Sequence, residues 1–345
     1  MILGKKRLVI ILISVMAAAV IGIFAYVGIM NAVNEGRDVK YRDEAAPIIL
    51  EMSELEKQRY GMINEYMGEA PCGANTSIVF LDMNARLYEQ VYPLVAEREH
   101  LSAILALRPE QMPGGEGKIT AEQLHELIGA GWSIAIFWEG VPVSEGVDTA
   151  ALSDYLSRMK DELLSLGLEL PDTVIFDRAT YSVEYDSVLS DYGVKFASHF
   201  GDGAFPLIDK QTEGEIMRPG VVGWNTNGYG NQFLISVEKE KGIAAFAIEF
   251  ESGGDLGSYL DLDRTDYMDA FGRMLDAIEE NAANGDVSCT SFAEAYFNRV
   301  GYVDAWTRMM DVIGDDLAAI ADRISVLEDE VLEIMKKYER KERDA

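Results

Sequence analysis

The sequence predicts an α/β chain: a (β/α) barrel or a doubly wound parallel sheet, with a membrane-spanning helix ahead of it and a coiled-coil helix behind it. Three observations predict this. From Thr76 to about residue 300, short runs apolar on both faces alternate with amphipathic helices, the pattern of a parallel sheet covered by helices. Leu8–Met30 is an uncharged run of 23 residues. From Val303 to Tyr338, apolar residues recur at spacings of three and four.

The N-terminal run comes first. A helix rising about 1.5 Å per residue crosses a hydrocarbon core of roughly 30 Å with this many residues. Lys5, Lys6 and Arg7 abut it, while Arg37, Lys40 and Arg42 stand further off among Glu35, Asp38, Asp43 and Glu44. Basic residues close to a span set its orientation, so residues 1–7 read as a cytoplasmic tail, 8–30 as a single-pass anchor in the lipid bilayer, and the rest as extracytoplasmic. Ala17-Ala18-Ala19 resembles a signal cleavage site, but the apolar run continues to Met30, which favours an uncleaved anchor. Residues 31–70 read as a polar linker up to Pro47 and a juxtamembrane helix over 48–67, with Ile49, Met52, Leu55, Met62 and Tyr66 on one side.

Residues 71–301 carry the alternating elements. Strands are expected at Ser77–Leu81, Leu101–Leu107, Trp132–Trp138, Thr173–Phe176, Val194–Ala197, Ile243–Phe250 and Val287–Thr290. Helices are expected over Thr120–Ile128, after a cap at Thr149, around Tyr185–Asp191 and after a cap at Thr265, with Gly167 and Gly285 as stops. Residues 302–345 form the coiled-coil helix. Val303, Trp306, Met310, Ile313, Leu317, Ile320, Ile324, Leu327, Val331, Ile334 and Tyr338 occupy its a and d positions. It pairs either with a second copy, giving a homo-oligomer through residues 303–338, or with the 48–67 helix of its own chain.

The formal charge is −29. Such a surface repels phosphate backbones, which excludes nucleic acid as a partner class. The two cysteines, Cys72 and Cys289, read as separate buried thiols or, in an oxidising compartment, as a disulfide. Gly114-Gly115-Glu116-Gly117 follows Pro113 as a turn and lacks the setting of a phosphate loop.

Four stretches resemble the polysaccharide deacetylase family (carbohydrate esterase family 4) across about residues 74–300. Ser77-Ile78-Val79-Phe80-Leu81-Asp82-Met83 is similar to the strand that ends Thr-Phe-Asp-Asp-Gly. Asp82 matches the metal-binding aspartate, and Leu81 stands at the general base. Ile119–Trp132 resembles the helix leading to the Gly-His-Glu-Ile-Gly-Ser-His strand, which puts Phe137 and Val141 at the two metal histidines. Phe176-Asp177-Arg178-Ala179-Thr180-Tyr181-Ser182 resembles Arg-x-Pro-Tyr-Gly, retaining Arg178 and Tyr181. The strand ending Ala247-Ile248-Glu249-Phe250 is similar to the late Leu-His strand, with Glu249 at the general acid.

The resemblance implies a distorted (β/α) barrel of the deacetylase type, a degenerate member lacking most catalytic and metal-binding residues. The family removes acetyl groups from N-acetylated sugars with a divalent metal, usually zinc. One aspartate without histidines falls short of the usual three protein ligands, so no cofactor is expected, and zinc only if the site is remodelled.

Catalytic candidates are therefore Asp82, Arg178, His199 and Glu249. His199 lies near a strand end, where barrel active sites form, and with Asp202 it would complete a remodelled acid–base or metal set. Trp138, Tyr181, Trp224 and Tyr229 are the substrate-binding candidates. Trp224 and Tyr229 sit in a Gly/Asn-rich loop, whose amides and aromatic faces suit neutral polyols. The expected function is glycan or envelope-protein binding without deacetylation. Two alternatives stand beside it: a C–N hydrolase with a remodelled site, and an assembly scaffold.

Overall fold

The computed structural model describes residues 39–81, 84–177, 179–200, 216, 220–223, 243–250 and 260–343. The expected anchor, residues 8–30, lies outside them. Among the described residues no helix is long and apolar enough to cross a membrane. The chain divides into two compact units, Pro71–Val303 and the remainder.

Among the described residues, the larger unit forms an eight-stranded, wholly parallel sheet. Its strands are β1 (Asn75–Phe80), β2 (Ala103–Leu107), β3 (Ser133–Trp138), β4 (Thr173–Phe176), β5 (Phe196–Phe200), β6 (Gly220–Gly223), β7 (Ile243–Ile248) and β8 (Ser288–Cys289). Neighbours pair in sequence from β2 to β7, and β7 then pairs with the whole of β1. The sheet curls until β1 also meets β2, at Ile78↔Ala103 through Phe80↔Leu105. β8 pairs with the start of β1, at Asn75↔Ser288 and Thr76↔Cys289. It therefore wedges into the split between β1 and β2, where the Cys289 thiol donates to the Ser102 carbonyl at 3.4 Å.

Every residue of β1, β2 and β4 is buried. That explains why these strands are apolar on both faces: one side chain set fills the ring and the other meets the helices. The inner set includes Val79, Leu81, Ile104, Ala106, Ala135, Phe137, Ile175, Phe196, Ala245 and Ala247. Phe292 and Ala295, from the first turns of the last helix, join this set. Polar bonds lie near them, with Ser77 Oγ donating to the Thr290 carbonyl at 2.5 Å and Asn298 Nδ2 to Asn75 Oδ1 at 3.1 Å. The outer set packs beneath α3 (Ala121–Gly129), α4 (Thr149–Ser165), α5 (Asp186–Asp191) and α6 (Thr265–Ala283).

Local chemistry explains most boundaries and corrects some. Thr120 and Gln123 form a reciprocal capping box at the start of α3. The cap of α4 is Asp148 rather than Thr149, its carboxylate accepting the Ala151 N–H at 2.9 Å. Thr265 is the first helical residue of α6, and Arg264 before it gives no side-chain cap. A helical stretch not anticipated from sequence follows β1: a π-turn over Leu87–Val91 leading into α2 (Tyr92–Ala96).

The smaller unit pairs α1 (Val39–Met67) with α7 (Phe292–Arg343) from Asp304 onward. Lys337 bonds Glu44, Arg323 bonds Glu51, and Met62, Ile63 and Met67 pack with Met309, Ile313 and Leu317. The order is reversed along the two helices, so they form an antiparallel hairpin. α1 begins eight residues before Pro47, which was expected to end a linker and instead lies inside the helix. Ala45, only 1 % exposed, lies within the same helical stretch, and burial in the hairpin offsets the lost backbone bond at proline.

Candidate functional site at the mouth of the sheet

Parallel strands place all their C-terminal ends on one rim, and alternation decides which side chains point inward there. Inward positions continue from Ala106 to Arg108, from Phe137 to Glu139, from Ile175 to Asp177 and from Ala247 to Glu249. The register Trp138↔Phe176 sets Glu139 opposite Asp177, and the Asp177 N–H donates to the Trp138 carbonyl at 3.0 Å.

Arg108 ties this rim together. Its guanidinium lies over the Phe137 ring, 4.6 Å from the centroid. Nη1 contacts Glu139 Oε1 at 2.5 Å, and Nη2 donates to the Leu81 carbonyl at 3.4 Å. The ends of β1, β2 and β3 thus meet at one cation. Its side chain is only 18 % exposed, so the stacking and the ion pair act with much of the solvent removed.

The turn after β4 is closely held. Thr180 bonds the Asp177 carbonyl through both its N–H and its Oγ1, and the Val143 N–H donates to the Ala179 carbonyl at 2.8 Å. Ala179 has φ +62°, a conformation uncommon for a residue with a Cβ.

Of the residues singled out from sequence, Glu249 is half-buried directly after β7, its carbonyl accepting the Leu260 N–H at 2.7 Å. His199 is on β5, paired with Phe176 and Gly220; its side chain lies outside the described residues. Asp82, Arg178, Asp202, Trp224 and Tyr229 also lie outside them. Trp138 is buried in the outer layer, its ring edge-on to Tyr155 at 4.8 Å. Tyr181 packs edge-on against Phe176 and donates to Asp186 Oδ1 at 2.9 Å. Neither shares the inward set of Arg108 and Phe137. Arg108 and Glu139 were not anticipated; each lies one residue beyond its strand, and only the inward alternation of those strands would have marked them.

The implied metal can be tested against these side chains. Phe137, at a position the resemblance gives to a histidine ligand, is 1 % exposed and presents a hydrocarbon ring to a guanidinium. Val141, at the other, is half exposed and carries no donor. A divalent ion needs nitrogen, oxygen or sulfur lone pairs, and a fixed cation beside the ring opposes a second positive charge. These residues do not fit the metal. Among the described residues no cluster of three or more histidine, cysteine or carboxylate side chains is placed to hold one.

No family model matches the sequence, and no curated protein matches it. Solved structures are similar at low identity. The peptidoglycan deacetylase PdaC from Bacillus subtilis is 7 % identical with a TM-score of 0.38, covering 68 % of this chain and 96 % of that one. A family 4 carbohydrate esterase from Streptomyces lividans, in complex with acetate, is 11 % identical with a TM-score of 0.37, covering 64 % and 93 %. The Streptococcus pyogenes deacetylase PplD, also in complex with acetate, is 15 % identical with a TM-score of 0.32, covering 42 % and 62 %. The chain is thus similar in structure to polysaccharide deacetylases, and likeness at this level says nothing of its chemistry.

Proposed function

We propose that the chain is a membrane-anchored, deacetylase-like protein of the cell envelope that binds an envelope glycan or another envelope protein and does not carry out metal-dependent deacetylation. One observation carries this reading: Phe137, under the Arg108 guanidinium, stands where metal donors are required. Without a metal, water keeps a pKa near its bulk value and attacks an amide poorly at neutral pH. The anchor is Leu8–Met30, which places the sheet unit on the outer side. Trp224 and Tyr229 supply the aromatic faces for sugar rings.

The test uses the full chain in detergent. The expected result is no stoichiometric zinc, no acetate released from N-acetylated glycans, and retention on a glycan matrix that Trp224→Ala abolishes. One zinc per chain with acetate release would replace this reading by that of a hydrolase with a remodelled site. A second reading, assembly through residues 303–338, is favoured by the unbroken three-and-four spacing of apolar residues from Val303 to Tyr338.

A further inference from the structure

The hairpin seam is not wholly apolar. On α1 the inward positions run Ala45, Ile48, Met52, Leu55, Arg59 and Met62, at spacings of three and four. Arg59 occupies a core position and is 6 % exposed. Its Nε has no hydrogen-bond partner, and its nearest carboxylate is Glu56 of the same helix, at 3.4 Å. On α7, Glu328 buries one carboxylate oxygen without a partner. Burial, and then the nearby Glu56 and Asp329 charges, hold its carboxyl above the usual range. At the far end a groove of about 490 Å³ opens beside Ile48, Val326 and Ile334. Buried polar atoms left without a partner, as at Arg59 Nε and Glu328, weaken a helix pair.

α7 has a partner that would relieve these costs. In its heptad, Ile313, Ile320, Leu327 and Ile334 are d residues, and Leu317, Ile324 and Val331 are a residues. Arg323 is then at g and Glu328 at e. In a parallel, in-register pair, each g residue faces the e residue five positions on in the other helix. Arg323 of each copy meets Glu328 of the other, twice over. Asp316 faces Ala321 and Glu330 faces Met335, so no like-charge contact opposes them. No arginine enters that core.

We propose that α7 exchanges α1 for the α7 of a second copy, forming a parallel coiled coil over Ile313–Ile334 registered by the Arg323–Glu328 pairs. This rests on the assembly reading given above and adds its orientation, its register and the helix displaced. The hairpin is the closed state, and release of α1 exposes the seam.

Sedimentation equilibrium of the full chain in density-matched detergent tests this. Wild type is expected to contain two copies. Arg323→Glu, which also breaks the Glu51 contact and so loosens the hairpin, is expected to dissociate about tenfold more readily. The charge swap Arg323→Glu with Glu328→Arg is expected to restore association. Arg59→Leu, which removes the charge from the hairpin core, is expected to shift the equilibrium toward single copies. Association unchanged in Arg323→Glu, or not restored by the swap, overturns the proposed pairing while leaving assembly standing. A wild type that stays single at every concentration overturns the assembly reading itself. Should Arg323→Glu lose helical content, Arg323→Gln carries the same comparison.

Discussion

Arg108 does at the rim what no other described side chain does, joining a ring face, a carboxylate and a backbone carbonyl from three strands. Replacing it by methionine keeps the stem and removes the charge, leaving Glu139 without this partner and the Leu81 carbonyl without this donor. Arg108→Met is expected to lower unfolding stability by about 2 kcal/mol, read from the urea midpoint by intrinsic fluorescence. An unchanged midpoint would show that the guanidinium does not hold the strand ends together. The cysteines make a second test. Neither cysteine is in a disulfide. Burial pushes the Cys289 thiol up to about 12, so at pH 8 it stays protonated. Cys72 is partly exposed. Iodoacetamide at pH 8 should therefore modify Cys72 in the folded chain and spare Cys289, as peptide mass spectrometry would reveal. Equal labelling would mean that β8 opens readily from the split it fills.

The elements themselves follow from local sequence wherever a local device exists. α3 starts where Thr120 accepts the Gln123 N–H at 3.1 Å while Gln123 Oε1 accepts the Thr120 N–H at 2.8 Å. Thr120→Ala removes half of this box and should cost about 1 kcal/mol, with Thr120→Ser close to wild type in the same urea titration; a full loss in both would assign the effect to packing instead. Most strands were legible for a similar reason, since runs such as Ser133–Trp138 keep apolar side chains on both faces. β6 was not: Gly220-Val221-Val222-Gly223 has two apolar residues between glycines, and β5 and β7 hold it from either side. The rim was legible only in part. Glu249 was marked by the resemblance, which sets it at the general acid of the late strand, whereas nothing in the sequence marked Arg108. Its meaning depends on Phe137 and Glu139, about thirty positions away and brought near by the β2–β3 register. The start of α1 was hidden by Pro47, a breaker by propensity that a buried face overrides.

At the scale of the whole chain, the surplus of negative charge acts on stability in a way that no single contact fixes. Fifty-nine acidic residues face thirty basic ones, and the ion pairs among the described residues include several on exposed side chains, such as Arg264–Asp266 and Lys57–Glu54. Two effects of salt then compete. Screening weakens each exposed pair, which contributes at most about 1 kcal/mol. It also relieves the repulsion among the surplus carboxylates, which acts over longer distances because the Debye length is roughly 30 Å at 0.01 M salt and 10 Å at 0.1 M. With a net charge of −29 the repulsion outweighs the scattered pairs, since compact folding brings like charges closer than the unfolded chain does. Raising sodium chloride from 0.01 M to 0.1 M is therefore expected to raise the thermal unfolding midpoint of the full chain in a non-ionic detergent, and potassium chloride should act equally because screening does not distinguish the two cations. A midpoint that falls with salt would show that partly buried pairs such as Arg108–Glu139 and Arg98–Asp276 outweigh the surplus charge, and would move the balance of stability from the surface to the rim and to the contact between the β1–β2 connection and α6.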